Sequence, residues 1–257
     1  MEKVRLGGMA LANGVLVHGP TAWGCAVRLE DGTVRIASGR KRRFAPHVQT
    51  PFVRGPLRLA EAFVLLPDVR RRLPEAQMPF QRPAVITTMV AATLIGGAAR
   101  RSRLSAGFRE LVAGIATLAP AFVALRGAEL ASYHGAEHIS IGTYEQDGER
   151  ATKEHDRCGS HLVGPLLLTT AAAGVLTAGA PRRARPAARL VGMLGAVGAS
   201  VELFGWMTRN PDKPLARALG RPGYELQARV STAEPSPEQL HVAEAALAAC
   251  LELEEVP

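Results

Sequence analysis

Residues 162–180 read Leu-Val-Gly-Pro-Leu-Leu-Leu-Thr-Thr-Ala-Ala-Ala-Gly-Val-Leu-Thr-Ala-Gly-Ala, 19 consecutive positions without a charged side chain. A helix crossing the hydrocarbon core of a bilayer needs about 20 such residues, within a range of roughly 17–25, so this block reaches the length of a span. Three more apolar blocks surround it. Ala84–Ala99 and Leu111–Leu125 are uncharged but shorter, at 16 and 15 residues, while Ala187–Met207 is longer and carries Arg189 and Glu202. Neighbouring residues extend the two short blocks, and their Gly and Ala content suits close packing of helices in lipid. Three uncharged blocks in one chain favour a membrane protein over a soluble bundle with an Ala/Gly-rich core. The expected fold is therefore mainly α, built on integral membrane helices. It places the chain in the cell membrane as a multi-pass protein with membrane lipid as a partner.

Charge fills the spaces between the blocks. The 257 residues carry a formal net charge of +8 with 47% hydrophobic and only 5% aromatic residues. The densest basic run is Arg40-Lys41-Arg42-Arg43, followed by Arg70-Arg71-Arg72 and Arg100-Arg101. Such runs suit anionic lipid head groups or a solvated face near a membrane. Aromatic residues are not interleaved with them and no nucleic-acid module is recognisable, which argues against a nucleic-acid partner. The loops 100–110 and 181–189 carry four arginines each, and the N-terminal region is also basic. If all four blocks span, these basic regions fall on both sides, and the positive-inside rule gives no single orientation. Cys25, Cys158 and Cys250 are an odd, widely spaced set, which argues against a disulfide scaffold.

Outside the blocks the pattern changes. Residues 1–50 read as a small β-rich unit, with strands at Gly14–Val17 and Trp23–Leu29. Asp31-Gly32 is a turn signal and Val34-Arg35-Ile36 alternates beyond it, which predicts a hairpin. Residues 51–82 form a helix from Leu57 to Leu66, with Pro56 in its first turn, and then a proline-punctuated linker. The apolar core occupies 83–207 and contains a polar loop at 127–161. A C-terminal segment, 208–257, ends in an amphipathic helix opened by Ser236-Pro237-Glu238-Gln239, a capping box.

The chemistry concentrates in the polar loop. Tyr133-His134-Gly135-Ala136-Glu137-His138 is followed by His155-Asp156-Arg157-Cys158-Gly159, so four of the seven histidines fall within 28 residues. On a helix His134 and His138 share one face, and both imidazoles reach one ion. The order His-x-x-Glu-His is the inverted zincin spelling, in which Glu137 serves as a general base toward water activated by zinc or another divalent metal. Two assemblies are open. In one, His134, His138, His155 and Cys158 close a tetrahedral structural site, with Glu137 beside it. In the other, His134 and His138 join a distant carboxylate, for which Glu202 inside an apolar block is the candidate, and a position is left for water. Simpler readings stand beside these. Glu202 pairs with Arg189 or Arg209, Arg157 pairs with Glu137 or Glu154, Cys158 acts as a nucleophile with His155 as base, and His161 is a supporting donor.

The chain resembles the YqhQ-like family through a series of short motifs. These are Gly7-Gly8-Met9-Ala10, Gly14-Val15-Leu16-Val17-His18-Gly19-Pro20, Pro51-Phe52-Val53-Arg54-Gly55 and Tyr133–His138 with Tyr144-Glu145. Arg157-Cys158-Gly159-Ser160, Glu202, Arg221-Pro222-Gly223 and Leu226-Gln227 continue the series. The resemblance implies a bacterial, metal-dependent integral membrane enzyme. Asn13 stands where relatives carry glutamate, which removes a carboxylate from the candidate ligands. Residues and resemblance together lead to the expectation of a metal-dependent membrane hydrolase. The alternative is a non-catalytic membrane scaffold or binding protein stapled by a structural zinc.

Overall fold

Alternation of apolar residues along the N-terminal segment produces strands with two buried faces. In the computed structural model, which describes residues 3–42, 47–125, 127–181 and 183–255, four strands form an antiparallel sheet in sequential order: β1 (Gly7–Leu11), β2 (Gly14–His18), β3 (Ala22–Arg28) and β4 (Val34–Arg40). The predicted turn at Asp31-Gly32 is present: Gly32 has φ +85° and the Thr33 amide donates to Asp31 Oδ1 at 2.9 Å. Arg43 of the basic run and Arg182 of the second arginine-rich loop lie outside the described residues.

Leu11, Leu16, Trp23, Cys25 and Val27 point to one side of the sheet and pack on Leu65, Leu66, Val69 and Met78. Val15, Val17 and Ala26 point to the other and pack on Tyr133, Ala136, Val242, Ala246 and Cys250. The first face is covered by α1 (Arg54–Val64), α2 (Leu66–Arg72) and the turn after it. The second is covered by α5 (Ala128–Glu145) and α9 (Pro237–Glu255). The expected linker after Leu66 is helical as far as Arg72, because Pro67 sits in the first turn of α2, where its missing N–H costs nothing. The capping box of α9 forms as expected, with Ser236 N donating to Gln239 Oε1 at 2.9 Å and Gln239 N to Ser236 Oγ at 3.3 Å. The amphipathic face of α9 docks on the sheet, so the first and last segments share one core.

The four apolar blocks are helices: α3 (Pro83–Arg101), α4 (Ala106–Leu125), α6 (Val163–Ala178) and α7 (Arg185–Arg209). All four are long and apolar enough to cross a bilayer. They pack in the order α3–α4–α6–α7 and leave large side chains such as Leu94, Leu176, Val191 and Leu194 facing outward. Short connections at 102–105 and 179–184 close two helical hairpins. Away from these turns, α3 and α4 meet the turn at Pro79–Gln81, α6 and α7 meet α8 (Pro214–Leu226), α7 meets α1, and α5 follows α4 in the chain. The sheet and α5 thus form a head at one end of the bundle, and the arginine-rich turns lie at the other.

Candidate metal centre

Helix α5 is buried along nearly its whole length, from Leu130 to Gly142. Small residues make this possible. A Cβ on Gly135 would lie 2.1 Å from the Ala233 carbonyl, and one on Gly142 would lie 2.6 Å from Ala151 Cβ. The segments after α5 and after α8 therefore press directly on its backbone, and Ala233 N donates to Ala131 O at 2.9 Å. Periodicity then places His134, Glu137 and His138 on one face, each of them buried.

Backbone carbonyls fix both imidazoles. His134 Nδ1 donates to Ser231 O at 2.8 Å, and His138 Nδ1 donates to Lys153 O at 2.6 Å. A carbonyl only accepts, so each Nδ1 carries the proton and each Nε2 presents its lone pair. The ring centroids are 4.4 Å apart. Cys158 enters from the loop before α6, with Sγ 3.5 Å from His134 Nε2. Among the described residues, ligand atoms of His134, His138 and Cys158 lie within 4.8 Å of one another, and His138 Nε2 is buried without a hydrogen-bond partner. Burial, reinforced by neighbouring His134, drives the His138 pKa far below the usual range, so its imidazole is neutral. Burial pushes the Cys158 thiol up, against hydrogen bonds from Ser160 that pull it down.

Glu137 faces a cavity of about 150 Å³ lined also by His18, His155 and Arg157. Strand β1 passes directly over it: a Cβ on Gly8 would lie 2.3 Å from Glu137 Oε1. Among the described residues no donor reaches its carboxylate. Desolvation raises its pKa from 4.5 to about 8, against the opposing pull of His134 and with a further push from Cys158.

Two expected participants stand elsewhere. His155 borders the cavity, but its Nε2 meets Glu145 Oε2 at 3.2 Å, and its ring lies 5.5 Å from that of His138. Glu145 also binds Arg157, which is thereby paired with neither Glu137 nor Glu154. Glu202 is not among the residues lining the cavity. It is instead clamped by Arg54, with Nε to Oε1 at 2.8 Å and Nη2 to Oε2 at 2.5 Å, and it accepts the Phe52 amide at 3.2 Å. The ion pair foreseen for Glu202 therefore forms with a helix of the head, and not with Arg189 or Arg209. His161 binds the Gly220 carbonyl at 3.1 Å.

One positioning residue escaped the sequence reading. Gln227 is fully buried; its Oε1 accepts the His155 amide at 2.8 Å, and its Nε2 donates to Ser160 Oγ at 2.8 Å and to His155 O at 3.3 Å. It holds both sides of Cys158. The only signal available was its place in the Leu226-Gln227 motif.

The donor set suits zinc. Two imidazole nitrogens and a sulfur make a mixed N/S shell, oriented by backbone acceptors, with one buried nitrogen left unpartnered. Three protein ligands are fewer than a closed structural shell uses, and both the cavity and Glu137 adjoin the set.

Residues 128–253 match the family model described as "Protein of unknown function (DUF1385)". The matched region begins at α5 and runs into α9, so it contains His134, Glu137, His138, Cys158 and Gln227 but leaves out the sheet. No significant similarity connects the chain to a curated protein or to a solved structure.

Proposed function

We propose that the chain is a multi-pass membrane protein that carries out metal-dependent hydrolysis at the end of its helical bundle, with His134, His138 and Cys158 as metal ligands and Glu137 as general base. The observation that carries this reading is the unpartnered, buried His138 Nε2, set beside two further ligand atoms and a carboxyl group without hydrogen bonds. A bound divalent ion such as zinc supplies Lewis-acid polarisation and lowers the pKa of a water toward ~7. The chain's own residues do the rest. The two backbone carbonyls hold the imidazoles in the ligating tautomer, and Gln227 holds the Cys158 loop in place. Gly8 and β1 close over Glu137 and limit water to the cavity. The Glu137 carboxylate accepts the proton and passes it on; its burial, which raises its pKa, makes it a stronger base than an exposed glutamate. The resemblance to the YqhQ-like family supports the same reading. A substrate held at the membrane surface, a lipid-linked group or a peptide, fits a cavity at this end of the bundle.

The test uses the full chain in lipid nanodiscs, loaded with zinc and offered panels of model lipid-linked esters, phosphodiesters and peptides. The wild-type protein should hydrolyse one class. Glu137→Gln should retain the metal and lose about 10²–10⁴-fold in rate, the usual contribution of a positioned general base. Equal rates in both proteins would overturn the role of Glu137. Tight zinc binding without turnover, and unfolding on His134→Ala, would favour the stapled scaffold.

A further inference from the structure

The motif Pro51-Phe52-Val53-Arg54-Gly55 does not line the cavity of the metal centre. Its backbone is unusual at Phe52, which has φ +66°. A bulky residue rarely adopts this left-handed conformation, so its surroundings must impose it. Helix α7 does so. Glu202 accepts the Phe52 amide at 3.2 Å and is gripped by both Nε and Nη2 of Arg54. A Cβ on Gly198 would lie 2.3 Å from the Phe52 carbonyl, and one on Gly55 would lie 2.4 Å from Val201. The turn is locked against α7, yet Phe52 and Val53 are themselves exposed.

The level at which the turn meets α7 decides what surrounds it. The 25 residues of α7 extend about 37 Å, which exceeds a hydrocarbon core of about 30 Å by about 7 Å. Glu202 stands about two turns, roughly 10 Å, before the Arg209 end of α7, and Gly198 about three turns, roughly 16 Å. Even with the whole excess projecting at that end, both residues fall within the apolar length of the span. A carboxylate at that depth requires a counter-charge, and Arg54 of the turn supplies it. The turn therefore lies beside the span and not beyond its end. Val191 and Leu194, which share the α7 face of Gly198, are exposed and carry the same apolar surface further along the helix.

Helix α1 extends that surface in the other direction. Pro56, Leu59, Ala60, Phe63 and Val64 recur at the spacing of one helix face. Leu59, Phe63 and Val64 are exposed, while Glu61, on the other side of the helix, is buried. A helix lying on a water-facing surface has the opposite polarity, apolar side inward. We propose that Phe52, Val53 and the outer face of α1 form a membrane-inserted anchor, seated in the bilayer between acyl chains and headgroups at the head end of the bundle. The anchor rests on the reading of α7 as a span. Acyl chains cover the apolar stripe, and Arg58, exposed opposite it, is left to headgroups and water. Insertion accounts for a phenylalanine at a positive φ: the strained turn aims an apolar side chain into lipid while Arg54 neutralises Glu202 beside it.

Nitroxide labels on single cysteines at Val53, Leu59 and Phe63 test this in the full chain, held in nanodiscs of phosphatidylcholine and phosphatidylglycerol. The unsubstituted chain, treated in the same way, gives the background from Cys158. Oxygen concentrates in the bilayer and a nickel chelate in water, so the ratio of their collisions with each label reads its depth. Labels at Leu194 and Glu30 mark the span and the solvent. The three anchor labels should give ratios several-fold above that at Glu30 and approach that at Leu194. Glu202→Ala leaves Arg54 without its partner in the span, so the Val53 ratio should fall toward the Glu30 value while Leu194 is unchanged; an unaltered Val53 ratio overturns the role of the ion pair. Anchor ratios equal to that at Glu30, with Leu194 reading lipid, overturn the anchor and leave the span. A water-like ratio at Leu194 overturns the span and the anchor together. Few collisions with either probe at Leu59 and Phe63 mean that a second copy or another protein covers the face, which overturns lipid as its occupant.

Discussion

In the proposed centre His138 Nε2 and Glu137 Oε1 stand in opposite states of need, one a lone pair without a partner, the other a carboxyl without a donor. The residues around them are expected to act through position. Gln227→Ala removes the bonds on both sides of Cys158 and should weaken zinc affinity by about 10–100-fold, measured by competition with a chelator. His18, also at the cavity, gives a pH prediction. Its Nδ1 accepts from Lys41 Nζ at 3.3 Å, and burial, helped by that ammonium, holds its pKa at about 4 against 6.5 unfolded. The unfolded chain therefore binds the proton more readily. The stability due to neutral His18 is complete above pH 6.5 and lost as pH falls toward 4, on the order of 1–3 kcal/mol. Thermal unfolding from pH 7 to 4 should be flatter for His18→Gln than for wild type. The His-x-x-Glu-His face was legible because helical periodicity is local. The exclusion of His155 was not, since it depends on Glu145 and Arg157, and the partner of Glu202 was not, since Arg54 lies 148 positions away.

Among the elements, α5 is the one in which helix propensity and packing disagree. Gly135→Ala should raise helix propensity by about 1 kcal/mol. Yet its methyl would meet the Ala233 carbonyl at 2.1 Å, so a net loss of about 1–3 kcal/mol is expected in chemical denaturation, with the metal site displaced. Helix α9 behaves more simply: loss of the Ser236 cap in Ser236→Ala should cost about 1 kcal/mol. The hairpin, the capping box and the four apolar blocks could be read from sequence because turn chemistry, capping and hydrophobicity act within a few residues. Strand β1 was not recognised from its sequence, since Gly7-Gly8 weakens the strand pattern. Those glycines are there because Glu137 and the His18 ring lie against them. Pro67 misled for the opposite reason: a proline that ends one helix also begins the next.

At the scale of the whole molecule, the hairpins α3–α4 and α6–α7 set both arginine-rich turns at one end and the sheet at the other. Cysteines at Arg103 and Gly179 should therefore react with a membrane-impermeant maleimide from one side of the membrane. Cysteines at Asp31 and Glu234 should react from the other, and labelling of all four from one side would rule out four spans. The native Cys25 and Cys250 are buried and should stay silent. The proposed metal centre joins these two halves, because its histidines belong to the buried helix of the head and Cys158 stands at the entry to α6. Elemental analysis of the purified full chain tests that junction most directly. The account predicts one equivalent of zinc or a similar divalent metal in wild type, retained in Glu137→Gln, His155→Ala and Glu202→Ala and lost in His138→Ala and Cys158→Ala. A wild-type protein without stoichiometric metal, or full metal content in the His138 and Cys158 variants, would contradict it.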